Sequence, residues 1–190
     1  MGTGLIQLPG EAELLALIAG QPERLHLLRV VRDHGPAGAW IAAGFVRNAV
    51  WDALHGYGEP TPLSDIDVLY FSADCLEPEA DYAWEHRLLG VSPDVPWSVR
   101  NQARMHLRNG DSSYRDCVDA MCHWPEVCTA VAVRLSGESL QLLAPLGIDD
   151  IWELRVRTTE HFRHKTDIYR ARLAAKNWPA RWPKLRIEPL

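Results

Sequence analysis

Asp65-Ile66-Asp67-Val68-Leu69-Tyr70-Phe71 sets two carboxylates one residue apart in an otherwise apolar run. On a β-strand, residues i and i+2 share a face and stand roughly 6.5–7 Å apart, so Asp65 and Asp67 project together while Ile66 and Val68 enter a core. Like charges held that close repel unless a cation or a hydrogen-bond network neutralises them, and hard oxygen ligands select Mg²⁺ or Mn²⁺. The same residues also fit the edge of a strand with two solvated aspartates, because Asp-x-Asp is short and common.

Upstream, the apolar stretch Trp40-Ile41-Ala42-Ala43 runs into Gly44, after which Val46, Val50 and Leu54 recur on one face of a helix. A strand, a glycine and a helix in that order present free N–H groups and a partial positive charge to a phosphate. Arg47, in the first turn, is within reach of the same anion. Read alone, Gly44 is equally a simple turn residue and Arg47 an exposed cation. Joined to the Asp pair about twenty residues later, the junction gains a chemical logic. Nucleotidyl transfer needs fixed donors on a triphosphate and a metal that bridges phosphate oxygens and aligns the attacking oxygen.

In this pattern the chain resembles the nucleotidyltransferase superfamily. Ala43-Gly44-Phe45-Val46-Arg47-Asn48 is similar to the Gly-Gly-x-Val-Arg-Asp segment of bacterial CCA-adding enzymes and poly(A) polymerases, a likeness confined to about Trp40 to Phe71. The run through Asp65-Ile66-Asp67, Asn101-Gln102-Ala103-Arg104-Met105-His106 and Trp124-Pro125-Glu126 resembles a bacterial nucleotidyltransferase-like family from about Ala39 to Leu185. The resemblance implies an α/β (α+β) nucleotidyltransferase fold, a short mixed sheet flanked by helices with a helical C-terminal extension. It implies transfer of a nucleoside monophosphate from an NTP to a hydroxyl acceptor, RNA being one candidate, with Mg²⁺ or Mn²⁺. Asp65 and Asp67 would be the catalytic carboxylates and metal ligands, and Gly44, Phe45, Arg47 and Asn48 the nucleotide-binding residues.

Three features depart from that pattern. Ala43 replaces the first glycine, Asn48 replaces an aspartate, and a third carboxylate on a neighbouring strand is missing. The next expected strand, Trp97 to His106, offers no acid. Asn101 and His106 are its possible additional site residues, although an amide cannot neutralise charge or accept a proton. Glu85, Asp116 and Asp119 are the acids that could fold back. A non-catalytic nucleotide- or partner-binding module therefore stands as the alternative, as does an RNA-binding protein that uses the C-terminal extension.

At 190 residues, 47% hydrophobic and 24% charged, the chain is expected to bury a core as one domain, with N-terminal helices over 1–38, a catalytic core over 39–154 and a basic helical extension over 155–190. No apolar run approaches the roughly 20 residues of a membrane span, and the N-terminus lacks the order of a signal peptide, so a cytoplasmic location is expected. Cys75, Cys117, Cys122 and Cys128 form no CxxC pair. Reduced thiols fit that spacing better than zinc.

Periodicity predicts helices over Glu11 to Ala19, from Pro22, over Pro78 to Leu89, from Trp124 through Val133, and over Gly147 to Leu154, where Asp149 and Asp150 suit the first turn. A strand is expected over Ser139 to Ala144. From Arg155 onward ten Lys or Arg stand against Glu160, Asp167 and Glu188, a net of +7 that leaves about −12 on the preceding part of a chain of net charge −5. Arg163, Lys165, Arg170, Arg172, Lys176 and Arg181 alternate with Phe162, Tyr169, Trp178 and Trp182 there. Such a segment can bind phosphates and bases. The favoured reading packs Ile168, Leu173, Trp178 and Trp182 on the core and leaves the cations solvated or paired with the acidic part.

Overall fold

The computed structural model describes residues 9–190; the first eight positions, counted above in the N-terminal segment, lie outside the described residues. Two helices lead, α1 (Glu11–Ala19) and α2 (Pro22–His34), the second with proline in its first turn, where a missing N–H costs nothing. Then come β1 (Trp40–Ala42), α3 (Gly44–His55), β2 (Ile66–Tyr70), α4 (Pro78–Val91), β3 (Trp97–Asn101), α5 (Gln102–Asn109) and α6 (Cys117–Cys122). A 3-10 turn (Val127–Thr129) precedes the hairpin of β4 (Ala132–Ser136) and β5 (Ser139–Leu143). The chain ends with α7 (Asp149–Trp152), β6 (Arg155–Val156), α8 (Thr166–Lys176), α9 (Trp178–Arg181) and β7 (Arg186–Ile187).

The main sheet runs β3-β2-β1-β4-β5 and is mixed: β2 and β3 are parallel, the other neighbours antiparallel. Its core side chains, Ile41, Val68, Val99 and Val133, meet Phe45, Val46, Val50 and Trp51 of α3. Every residue of α3 from Phe45 to Asp52 is buried. A helix enclosed all round is a central element, and here it forms one wall of the site. The mixed sheet flanked by helices agrees with the architecture read from the sequence. No helix among the described residues is long and apolar enough to cross a membrane.

Two segments differ from expectation. The strand expected over Trp97 to His106 ends at Asn101, whose side chain caps α5 by accepting from the Ala103 N–H at 3.1 Å. Asparagine at that position ends a strand and starts a helix in one residue, and Gln102, Ala103, Arg104 and Met105 are good helix formers. The helix expected from Trp124 through Val133 is instead the 3-10 turn and the start of β4. The Thr129 hydroxyl donates to the Glu126 carbonyl at 2.7 Å and closes the turn, after which Val131 and Val133, β-branched, favour extended backbone. The capping role expected of Asp149 and Asp150 also needs correction for Asp150, which is buried and paired with Arg155 at 2.7 Å and Arg157 at 2.8 Å.

Candidate functional site

The junction of β1 and α3 is strained at Ala43, not at Gly44. Ala43 has φ 52° and ψ −116°, the conformation of the first central residue of a type II′ turn, which glycine adopts freely and alanine does not. Its N–H donates to the Val131 carbonyl at 2.8 Å, while its own carbonyl accepts from Val46 and Arg47 and so starts the helix. Gly44 lies at the cleft without steric compulsion, since an added Cβ would meet Arg47 and Asn48 at 3.6 Å. Ala43→Gly is therefore expected to stabilise the protein by about 1 kcal/mol, read as a higher urea midpoint at unchanged slope.

Arg47 is 6% exposed. Its guanidinium lies between two indoles, 4.7 Å from the ring centre of Trp51 and 4.5 Å from that of Trp178. Nε and Nη2 donate to the Asn48 side-chain oxygen at 3.2 and 2.9 Å, and no acid lies within ion-pairing distance among the described residues. Burial pulls its pKa down from the ordinary guanidinium range, opposed by nearby Cys128, Glu126 and Asp67. A buried cation without a counter-ion is costly, and an anionic ligand relieves that cost.

Across the cleft, Asp65 immediately precedes β2 and Asp67 is its second residue. Both line a cavity of about 640 Å³ with Gly44, Arg47, Asn48 and Thr129. Asp65 accepts from the Ser64 hydroxyl at 3.0 Å, and neither carboxylate is in an ion pair among the described residues. Burial, then the charge of Asp65, pushes the Asp67 carboxyl up to about 6, against the pull of Lys176, Arg47 and Arg172. A carboxyl whose folded pKa is raised stabilises the fold most below its unfolded pKa, and that contribution is lost as the pH rises through about 6. At pH 8, without ligand, Asp67→Asn is therefore expected to stabilise by about 1 to 2 kcal/mol after allowance for solvent screening. The gain should shrink as the pH is lowered through 6 towards 4, measured by thermal melts across that range.

The remaining walls come from the C-terminal extension: Arg172 and Lys176 of α8, and Trp178 and Arg181 of α9. Arg172 is clamped by the fully buried Glu126, which accepts from its Nε at 2.6 Å and its Nη2 at 3.1 Å. Trp182 anchors the extension, donating its indole N–H to Asp52 at 2.8 Å. The sequence offered one sign of these residues, the alternation of cations and aromatics. The packing reading holds for Trp178 and Trp182, which are buried, and for Leu173, which packs against the core, but Ile168 is 61% exposed, and the same packing carries three cations to the cleft.

Gly44, Arg47, Asn48, Asp65 and Asp67 are thus brought together. Phe45 is not: its ring is fully buried in the core with Arg24 over its face. Asn101 is also remote from the cleft. Fully buried, it accepts from the Ser72 and Ala103 N–H groups and donates to the Ser72 and Cys75 carbonyls, so its hydrogen-bonding capacity is used in tying a loop to α5. His106 follows it onto α5, with Nδ1 2.8 Å from the Ala103 carbonyl. No third acid lines the cleft among the described residues. Glu85 accepts from the Val99 N–H and pairs with Arg100, Asp116 caps α6, and Asp119 pairs with Arg115. No group of three His, Cys, Asp or Glu capable of holding a metal occurs among the described residues. Two carboxylates free of counter-ions suit a Mg²⁺ or Mn²⁺ ion that takes its other ligands from phosphates and water, and not a cage built wholly by protein.

Comparison with known proteins agrees with this fold. A solution structure described as a CCA-adding enzyme head domain is 34% identical, covers 95% of this chain and 96% of its own, and superposes with a TM-score of 0.84. A CCA-adding enzyme in complex with CTP is 17% identical (TM-score 0.61), and the Thermotoga maritima CCA-adding enzyme in complex with tRNA is 18% identical (TM-score 0.59). These two share the fold, and although 97% of this chain is covered in each, it spans only 44% of their length. No curated protein gives a significant match. A family model described as nucleotidyltransferase matches residues 29–187, and with the strand, the helix and the Asp pair all inside that span, the chain belongs to this nucleotidyltransferase family.

Proposed function

We propose that the protein binds a nucleoside triphosphate in the cleft between Arg47 and the Asp65–Asp67 pair and transfers its nucleotidyl group to a hydroxyl acceptor. The observation that carries this reading is Arg47, a buried guanidinium facing the same cavity as Asp65 and Asp67, with no acid partner for the one and no cation partner for the other two among the described residues. A metal-bound triphosphate satisfies both at once. Arg47, Lys176 and Arg181 would neutralise phosphate oxygens, and the first N–H groups of α3, which have no acceptor within the helix, would hold the chain of phosphates. Asp65 and Asp67 would hold Mg²⁺ or Mn²⁺. When bound, the ion neutralises charge on the phosphate oxygens and fixes the line of attack. The acceptor oxygen then bonds to the α-phosphorus as the bond to the β-phosphate bridging oxygen breaks, and pyrophosphate leaves against the cations of the cleft. The related enzymes solved with CTP, with ATP and with tRNA are consistent with an NTP here in general terms.

A second reading rests on the lack of a third acid in the cleft among the described residues. A non-catalytic nucleotide-binding module would bind NTP and release no pyrophosphate. Nucleotide binding itself is tested through the indoles that flank Arg47. Tryptophan fluorescence titrations with ATP, GTP, CTP and UTP in MgCl₂ are expected to show saturable binding of at least one, and Arg47→Met, which keeps the packing volume, is expected to weaken it 10- to 100-fold, about 1.4 to 2.8 kcal/mol. An unchanged dissociation constant in a folded variant would remove Arg47 from the site.

A further inference from the structure

A second cavity of about 580 Å³ opens on the other side of Asp67. Ala43, Asp67, Thr129 and Arg172 line both spaces, so the Asp67 carboxylate stands in the partition between them. Resting on the assignment of the first cavity to the NTP, the geometry points to the second as the acceptor site, fitted to a small hydroxyl compound with an aromatic or apolar body and one anionic group such as a phosphate monoester.

The lining sets the ligand class. Leu69, Met105, Trp124, Phe162 and Ile168 give an apolar and aromatic wall, and Ile168 is 61% exposed at the rim although nothing among the described residues covers it. Of the cations facing the cavity, Arg100 is paired with Glu85 at 2.6 Å, Lys165 with Asp111 at 3.2 Å and Arg172 with Glu126 at 2.6 Å. Arg108 has no ion-pair or hydrogen-bond partner for its side chain among the described residues and is exposed. His123 lines the same space; its Nδ1 lies 2.8 Å from the Asp119 carbonyl, which leaves Nε2 unpartnered among the described residues. One unmatched cation and one imidazole lining the same space suit one anionic group.

A long nucleic acid acceptor fits less well. It would need a continuous strip of unmatched cations and exposed aromatic faces. Arg155 and Arg157 of the extension are committed to Asp150, Arg186 approaches Glu153 at 3.8 Å, and Lys184 donates to the Leu54 carbonyl at 2.9 Å. Tyr169, Trp178 and Trp182 are buried, and the whole chain carries −5. In the transfer, the hydroxyl oxygen from the second cavity forms the new bond to the α-phosphorus and the α-phosphorus–bridging oxygen bond breaks. The electron pair leaves with pyrophosphate into the first cavity, and the hydroxyl proton passes to solvent.

The test uses phenyl phosphate as probe, titrated into the ¹⁵N-labelled 190-residue chain saturated with MgCl₂ and the α,β-methylene analogue of the tightest-binding NTP. Phenyl phosphate is expected to shift the Trp124 indole N–H and the amides of Phe162 and Ile168. Arg108→Ala should weaken it at least 5-fold with the nucleotide constant unchanged, which also shows that the variant is folded. A nucleotide that binds while phenyl phosphate leaves those signals in place, or is indifferent to Arg108→Ala, overturns this proposal alone. So does displacement of phenyl phosphate by lower concentrations of a single-stranded RNA ten-mer. A nucleotide analogue that fails to shift Trp178 and Lys176 overturns the reading on which the proposal rests.

Discussion

Asp67→Asn is expected to lower nucleotidyl transfer by about 10³-fold, within the range seen when a group that stabilises transition-state charge is removed. Asparagine keeps the volume and one oxygen of the side chain, so β2 and its register with β1 and β3 should persist. What disappears is a negative charge at the partition between the two cavities. Asp65 remains, but as a single carboxylate at an exposed position it holds a divalent ion weakly, because such ions are bound through one or two carboxylates plus phosphates. The measurement is pyrophosphate release from the preferred NTP with a small-molecule cell extract as the source of acceptors. Since the same substitution is expected to stabilise the ligand-free protein at pH 8, a loss of transfer cannot be ascribed to unfolding.

Trp182→Ala should have the largest effect on stability, a loss of about 3 to 5 kcal/mol, or a fall in Tm of about 6 to 20 °C for a chain of this size. Trp182 is 1% exposed and packs edge-on against Trp51 with ring centres 5.1 Å apart. Its indole N–H shares the Asp52 carboxylate with the Thr61 hydroxyl at 2.6 Å and the Thr61 N–H at 2.8 Å. Truncation thus leaves a cavity and breaks a network that ties the C-terminal extension and the loop before Asp65 to one helix. Trp182→Phe, which keeps most of the volume, should cost about 1 to 2 kcal/mol for the lost hydrogen bond to a charged group. Urea denaturation of the two variants separates packing from hydrogen bonding.

The parts of the site legible in the sequence are those held by local pattern. Asp65 and Asp67 are placed by the period of a strand, and Gly44 and Arg47 by the start of a helix, so neither pair depended on knowing the tertiary structure. Ala43 was visible as a departure from a glycine, and the positive φ there supplies the reason glycine is usual. Asn101 was misplaced because a single capping residue turned a strand into a helix, which a period count does not detect. The helix expected from Trp124 through Val133 fails because a short apolar run does not by its period distinguish helix from strand, and here the β-branched Val131 and Val133 favour the strand that pairs with β1. Arg172, Lys176 and Trp178 reach the cleft through contacts between residues distant in sequence, such as the Arg172–Glu126 pair and the Arg47–Trp178 stack, the latter between partners more than a hundred positions apart. No local pattern encodes such a contact. The single alternation of cations and aromatics marked the segment without saying where it would land.

Affinity of the proposed nucleotide site is expected to depend on a divalent ion at the Asp pair. Calorimetric titration of ATP, GTP, CTP and UTP, each with MgCl₂ and again with EDTA, on the native protein and on Asp67→Asn, measures that dependence. Binding of at least one nucleotide that is strong with Mg²⁺, weak in EDTA and equally weak in the variant is the predicted result. Absence of binding by a folded native protein, or binding indifferent to both Mg²⁺ and Asp67, would contradict it.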